Sequence, residues 1–119
     1  MSRPVVTTSQ RILVVDDNAD GGRSLAMLLT CHGREVRVEV DGPAALQAVD
    51  EFQPDCIVLD IGLPGMDGFE IARRIRANPD CRVRLIAVSG FAAEGDGRSA
   101  DFDHYFVKPV DIDNLLAIL

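Results

Sequence analysis

The sequence predicts an α/β fold in which helices cover both faces of a doubly wound, five-stranded parallel sheet. Short runs of apolar, mostly β-branched residues alternate with segments whose apolar residues recur at helical spacing. Two of the runs, residues 12–15 and 56–59, are apolar throughout, as in strands buried on both faces. The length of 119 residues suits one domain, which we place at residues 11–119 after a flexible N-terminal segment, residues 1–10.

The first third of the chain predicts a strand, a helix and a second strand. Residues 11–15 form the first strand. The helix after it begins at Asn18 or Asp20 and ends at Gly33, since these residue types favour helix starts and stops. Along this helix, Leu25, Leu28, Leu29 and His32 recur at helical spacing. Residues 35–40 alternate polar and apolar side chains, which indicates a strand nearer the edge of the sheet.

The middle of the chain predicts a helix, a buried strand and another helix. Pro43 opens the first of these helices, where its missing N–H costs nothing. The inner face of that helix comprises Ala45, Val49 and Phe52. Residues 55–59 form the third strand. The next helix begins at Asp67, which has Glu70 three residues later in a capping pattern, and ends before Pro79.

The last third predicts strands at residues 83–88 and 105–107, with a weak helical segment between them at residues 91–101. Two internal glycines make that segment poor helix material. A final helix capped by Asp111 carries apolar residues at Ile112, Leu115, Leu116 and Leu119. Because each crossover returns the chain to the same end of the sheet, all five strands are expected to be parallel.

Polar residues occur where four of these apolar strands end. Parallel strands meet with their carboxyl ends at one edge of the sheet, which is where doubly wound folds bind ligands. The sequence therefore predicts one crevice that gathers three carboxylates, a hydroxyl and an ammonium, from Asp16, Asp17, Asp60, Ser89 and Lys108.

This combination of groups indicates a metal site and phosphoryl chemistry. Clustered carboxylates repel one another unless a cation is bound, and Mg²⁺ prefers such oxygen ligands. Asp16 and Asp17 would hold the metal together with Asp60 and the backbone carbonyl of Gly62. Asp60 is the best nucleophile, because a carboxylate can form an acyl phosphate whose oxygens the ammonium and hydroxyl then contact.

Four motifs resemble the receiver domains of two-component response regulators: VVDDN at 14–18, LDIGLPGMDG at 59–68, AVSG at 87–90 and YFVKPV at 105–110. The resemblance covers residues 11–119. It implies a flavodoxin-like sheet with strand order 2-1-3-4-5. It also implies a signalling switch that is not an enzyme, except that it catalyses its own phosphorylation and dephosphorylation. We expect a cytoplasmic location, because residues 1–10 have no apolar signal-peptide core and no run is long enough for a membrane span.

The resemblance also implies roles for single residues. Asp60 is the phospho-acceptor, and its phosphoryl group comes from a histidine kinase or from a histidine phosphotransfer protein of a phosphorelay. The downstream target is left open. Asp16 and Asp17 bind Mg²⁺. Lys108, joined to Pro109 by a cis bond, contacts the phosphoryl group. Ser89 supplies the hydroxyl group of the switch and Tyr105 its aromatic group. For Tyr105, a half-buried aromatic residue at the sheet edge that does not move is nearly as good an interpretation.

Two features depart from the family pattern. The interval between Ser89 and Lys108 is a few residues short, and the shortage falls in the segment 91–101. We therefore predict a fourth helix that is short, displaced or mobile. The last helix has only about two turns, so we expect either a shortened chain or one module of a longer protein. The sequence around it is most like the receivers of hybrid sensor kinases or stand-alone receivers.

Two other functions stay open on the sequence alone. One is a phosphatase or phosphotransferase enzyme that forms an aspartyl phosphate, as haloacid-dehalogenase-like enzymes do. Those enzymes usually carry D-x-D at the nucleophile, whereas Asp60 is followed by Ile61 and Gly62. The other is a binding module that is never phosphorylated, which the intact set of five polar residues disfavours.

Composition limits the remaining possibilities. The net charge of −7 disfavours nucleic-acid binding by this domain, and no apolar run approaches the roughly 20 residues of a membrane span. The three cysteines show no metal-binding spacing and are predicted to be buried, reduced thiols. We assign no function to His32 or His104. The basic residues of the third helix are predicted to form its solvated face: Arg73, Arg74 and Arg76.

Overall fold

The fold is a parallel sheet between two layers of helices. The structure, a computed structural model, describes residues 10–61, 68–90 and 101–119. Its elements are β1 (Arg11–Val15), α1 (Ala19–Cys31), β2 (Glu35–Glu39), α2 (Gly42–Phe52), β3 (Cys56–Asp60), α3 (Gly68–Arg76), β4 (Arg84–Ser89), β5 (His104–Val107) and α4 (Ile112–Ile118). All strand pairs are parallel, in the order β2-β1-β3-β4-β5. The predicted fold class and strand order are confirmed.

Two apolar cores lie on opposite faces of the sheet, because successive strand residues point to opposite sides. Leu13 and Ile57 pack with α2 and α3 on one face. Val14 and Val58 pack with α1 and α4 on the other. Strands β1 and β3 occupy the middle of the sheet and bury both of their faces, which explains why their sequences are apolar throughout. In the part of the chain that is described, no helix is long and apolar enough to cross a membrane.

Three helices, α1, α2 and α4, begin at short polar side chains. Asn18 caps α1 by accepting a hydrogen bond of 3.1 Å from the Gly21 N–H, and Asp111 caps α4 in the same way, as predicted. Asp41, which the sequence analysis did not single out, caps α2 through the Ala44 N–H at 2.8 Å. These caps satisfy N–H groups that have no partner within the helix.

Some predicted positions on the helix faces are wrong. Leu28 is 46% exposed and His32 is exposed, because α1 contacts the sheet through a narrow stripe that includes the buried residues Gly22 and Leu29. The prediction of three buried thiols holds only for Cys56, since Cys31 is exposed at the end of the same helix and Cys81 is half-buried.

The second helix also differs in detail from its predicted inner face. Its most buried apolar side chains are the small Ala45 and Ala48, because α2 approaches β1 closely. Val49 packs at the margin of the core, and Phe52 is half-buried beneath the guanidinium of Arg11, 6.0 Å from the ring centre.

Several predictions lie outside the described residues and are not tested by the structure. They concern residues 1–9, 62–67 and 91–100. They are the flexible N-terminal segment apart from Gln10, the carbonyl of Gly62, the Asp67 cap, and nearly all of the short fourth helix.

Candidate functional site

The predicted polar residues converge on the carboxyl edge of the sheet. Asp16 and Asp17 follow β1, Asp60 is the last residue of β3, and Ser89 is the last residue of β4. Lys108 comes directly after β5. The hydrogen-bonded ladders extend as far as the Asp60–Val88 and Ser89–Val107 Cα pairs, so that strand pairing fixes the backbone at these positions.

Three carboxylates form the centre of the site. Asp16, Asp17 and Asp60 each offer an oxygen, and these atoms all lie within 4.8 Å of one another. Burial raises the pKa of Asp16, and the charges of Asp60 and Asp17 add to this effect. The Asn18 N–H, 2.9 Å from Asp16 Oδ1, and the charge of Lys108 lower that pKa, but only in part. A donor set of crowded carboxylate oxygens fits a hard divalent cation.

Lys108 supplies the ammonium at this edge. Its Nζ donates to Asp60 Oδ2 at 3.0 Å and lies 3.6 Å from Asp16 Oδ2. Burial acts to lower the pKa of Lys108, but the hydrogen bond and charge of Asp60, together with Asp16, outweigh burial and raise it. The Lys108 N–H donates to the Ser89 carbonyl at 2.7 Å, and the bond to Pro109 is cis, as the family resemblance implied.

Ser89 and Tyr105 lie on neighbouring strands. Ser89 is 2% exposed and is the one buried polar side chain among the described residues. Tyr105 is half-buried and pairs with Ala87, two residues before Ser89, while Ser89 pairs with Val107. Side chains of paired residues share a face, so Ser89 and Tyr105 lie on the same side of the sheet as diagonal neighbours.

The chain segment after Asp60 depends on a glycine that the sequence analysis did not identify as essential. The Ile61 N–H donates to the Val88 carbonyl at 3.1 Å, and the Gly68 N–H donates to the Ile61 carbonyl at 3.2 Å. A Cβ on Gly68 would lie 2.4 Å from the Ile61 Cα, which is too close for any side chain. Gly68 therefore lets α3 start directly beside the residue that follows Asp60, a contact that the sequence alone does not signal.

A groove of about 550 Å³ runs from the carboxylates along α1. At one end it is bordered by Asp16, Asp60 and Lys108. Its apolar walls include Leu25, Leu28, Val58, Val88 and Val110. The exposure of Leu28 thus belongs to an apolar surface beside the site. Sequence reasoning missed this groove because its walls come from α1, the central strands and the segment after β5, which are far apart in the chain.

Comparison with known proteins identifies the family. The chain matches the family model described as the response regulator receiver domain over residues 12–119. The transcriptional regulatory protein PrrA of Mycobacterium tuberculosis is 41% identical over 113 residues, which cover 92% of this chain and 48% of PrrA. The chain thus spans about half the length of this curated relative.

Solved structures agree with this assignment. The response regulator TrrA from Thermotoga maritima, in complex with Mg²⁺-BeF, matches with a TM-score of 0.84 and 31% identity, covering 92% of this chain and 95% of that one. The receiver domain of a Pseudomonas aeruginosa sensor histidine kinase, with magnesium coordinated in its active site cleft, matches with a TM-score of 0.83 and 31% identity, covering 93% and 94%. The chain therefore belongs to the response regulator receiver domain family of two-component signalling.

Proposed function

We propose that the chain is a phosphorylation-dependent switch that accepts a phosphoryl group on Asp60 from a histidine kinase or a histidine phosphotransfer protein. The observation that carries this proposal is the hydrogen bond of 3.0 Å between Lys108 Nζ and Asp60 Oδ2 inside a cluster of carboxylates. An ammonium that already contacts the acceptor carboxylate is in place to contact a phosphoryl group on it.

The transfer joins an Asp60 carboxylate oxygen to phosphorus. The bond between phosphorus and the donor's imidazole nitrogen breaks, and its electron pair stays on that nitrogen. The product is an acyl phosphate on Asp60 and a free histidine on the donor. Lys108 stabilises negative charge on the transferred group throughout, since its pKa is raised and its ammonium persists.

The crowded carboxylates support a magnesium site formed by Asp16, Asp17 and Asp60. Mg²⁺ bound there would supply the positive charge that three carboxylates and one ammonium lack, and would balance charge on the phosphoryl oxygens. The Gly62 carbonyl is proposed as a further ligand on the family pattern.

Phosphorylation is expected to act on Ser89 and Tyr105. The Ser89 hydroxyl moves to bond a phosphoryl oxygen, and Tyr105, a diagonal neighbour on the same face, turns into the space that it leaves. Tyr105 is the only tyrosine and the chain has no tryptophan, so intrinsic fluorescence reports on this side chain alone. With Mg²⁺ and beryllofluoride as a phosphoryl mimic, acrylamide should quench Tyr105 less.

The control for this switch is Ser89→Ala, which removes the hydroxyl but leaves Asp60 and Lys108 in place. The variant should still form the adduct but keep the quenching of the free protein. Equal protection of Tyr105 in Ser89→Ala and in the unaltered protein would contradict the coupling.

Phosphorylation itself is tested with a small donor. The protein is incubated with Mg²⁺ and acetyl phosphate, whose phosphorus–oxygen bond breaks to release acetate, and its intact mass is measured. We expect a single phosphoryl adduct that is stable in acid and labile in base. Asp60→Asn should abolish the adduct, and an undiminished adduct in that variant would contradict the proposal. Repeated turnover of a phosphate ester would instead favour the aspartyl-phosphate enzyme.

A further inference from the structure

Two adjacent glycines, Gly21 and Gly22, lie in the first turn of α1, although glycine is a weaker helix former than alanine. Packing explains Gly22, because its Cβ would lie 3.1 Å from Val38 Cγ1 beneath the helix. Gly21 has no such explanation. It is exposed and helical, and its Cβ would meet nothing closer than Asp16 Oδ2, at the ordinary contact distance of 3.4 Å.

Gly21 lies beside one particular oxygen of Asp16, the Oδ2 atom, which is the nearest atom that a Cβ at position 21 would meet. Asp16 Oδ1 accepts the Asn18 N–H at 2.9 Å, while Asp16 Oδ2 lies 3.6 Å from Lys108 Nζ. Gly21 also borders the groove that leads to these groups. Any side chain at position 21 would therefore cover the outer side of Asp16 Oδ2.

We propose that Gly21 is a positioning residue for cation binding, because its bare backbone keeps Asp16 Oδ2 open to water at the mouth of the site. The inference rests on the proposed function, in which Asp16 is a magnesium ligand. Mg²⁺ gives up its waters reluctantly and keeps several of them when bound to protein. Space for water beside a ligand oxygen is therefore part of the site. Gly21 provides this space, although a glycine lowers the intrinsic stability of the helix.

The test measures Mg²⁺ binding and thermal unfolding of Gly21→Ala side by side. By helix propensity, the variant should unfold at a higher temperature than the unaltered protein when no metal is present. By calorimetric titration it should bind Mg²⁺ about three- to tenfold more weakly, a change of ~1 kcal/mol. Gly21→Leu should weaken binding further, because a longer side chain covers more of the same oxygen.

Ser24→Ala is the matched control, since it raises helix propensity in the same helix, and Ser24 borders the same groove. It should leave the Mg²⁺ affinity unchanged. Equal Mg²⁺ affinity in Gly21→Ala and the unaltered protein would overturn the role of Gly21 and leave the magnesium site standing. Absence of saturable Mg²⁺ binding by the unaltered protein would overturn the magnesium site as well.

Discussion

The two edges of this sheet differ in the charged groups that they bring together. At the carboxyl edge, where strands end and helices begin, aspartates stand close together with a single lysine among them. At the amino edge, where helices end and strands begin, arginines meet backbone carbonyls. The first edge keeps like charges in unfavourable proximity, whereas at the second several guanidiniums donate to backbone carbonyls.

The arginines of the amino edge bind the ends of helices. Arg11 Nε donates at 3.1 Å to the carbonyl of Gln53, which caps α2, and Arg34 Nη1 donates at 2.8 Å to the carbonyl of His32, which caps α1. Arg84 donates to the Ile118 carbonyl in α4. Carbonyls at a helix C-terminus lack partners and carry the negative end of the helix dipole, so a guanidinium satisfies both needs.

The chain has 14 Asp against 5 Glu and 11 Arg against a single Lys, and the two edges use these residue types differently. Short Asp side chains serve as helix caps and as the carboxylate cluster at one edge. The several donors of a guanidinium reach carbonyls at the other. Lys108, the single lysine, lies at the edge where a compact charge contacts Asp60. The carboxyl edge thus holds the candidate site, and the amino edge holds hydrogen bonds from guanidiniums to the ends of helices.

Removing a guanidinium from the amino edge tests whether the two edges act independently, and it should have the largest effect on stability. Arg76 donates to the carbonyls of Val83 at 2.7 Å and Asp101 at 3.0 Å, and to Asp103 Oδ2 at 2.7 Å. Arg76→Met keeps the aliphatic part of the side chain but removes the donor to the two carbonyls, while Asp103 Oδ2 keeps only its hydrogen bond from the Leu85 N–H. We expect it to lower the free energy of unfolding by about 1–3 kcal/mol, measured by urea denaturation.

The matched control is Arg74→Met on the same helix. Arg74 is 55% exposed and pairs only with Glu70 among the described contacts, so the loss should be below about 1 kcal/mol. Neither variant should change Mg²⁺ affinity, because neither guanidinium contacts the carboxylate cluster. A tenfold loss of Mg²⁺ affinity in Arg76→Met would contradict the separation of the two edges.

A smaller effect of opposite sign is expected at the carboxyl edge. The pKa of Asp16 is raised mainly by burial, so the ionised carboxylate is less favourable in the folded protein than in the unfolded chain. Asp16→Asn keeps an acceptor for the Asn18 N–H and removes the charge. It should stabilise the metal-free protein at neutral pH by up to about 1 kcal/mol, while weakening Mg²⁺ binding.

The stabilising effect of Asp16→Asn should depend on pH. Between the raised pKa of folded Asp16 and the lower, ordinary pKa of Asp16 in the unfolded chain, the folded state binds more protons, so stability rises as pH falls through this window. The advantage of Asp16→Asn should therefore be full at neutral pH and shrink on acidification, as followed by urea denaturation across pH. An advantage that grows on acidification would be inconsistent with this account.

The sequence predicted the carboxyl edge well for a physical reason. Apolar runs that end in a polar residue locate the ends of buried strands, and parallel pairing then brings those ends together. Asp60 and Lys108 are far apart in the chain, yet their side chains meet at 3.0 Å because β3, β4 and β5 run side by side. The prediction needed only strand order and direction.

The amino edge could not be predicted in the same way. Arg76 lies in a basic run and was expected to face solvent, but it is half-buried, and its partners lie 7 to 27 residues further along the chain. The close approaches at Gly21 and Gly68 also depend on elements that meet only after folding. The residue pattern within one helix or strand does not reveal how closely that element approaches another element in the folded protein.

The central claim is that Asp60, at the carboxyl edge, takes the phosphoryl group, and the most direct test is to locate the adduct. After treatment with acetyl phosphate and Mg²⁺, borohydride reduces an aspartyl phosphate to homoserine, which peptide mass mapping can assign to a position. We predict homoserine at position 60 alone, dependent on both the phosphodonor and Mg²⁺. Homoserine at position 16 or 17, or none at position 60 in protein shown to carry the adduct, would contradict the claim.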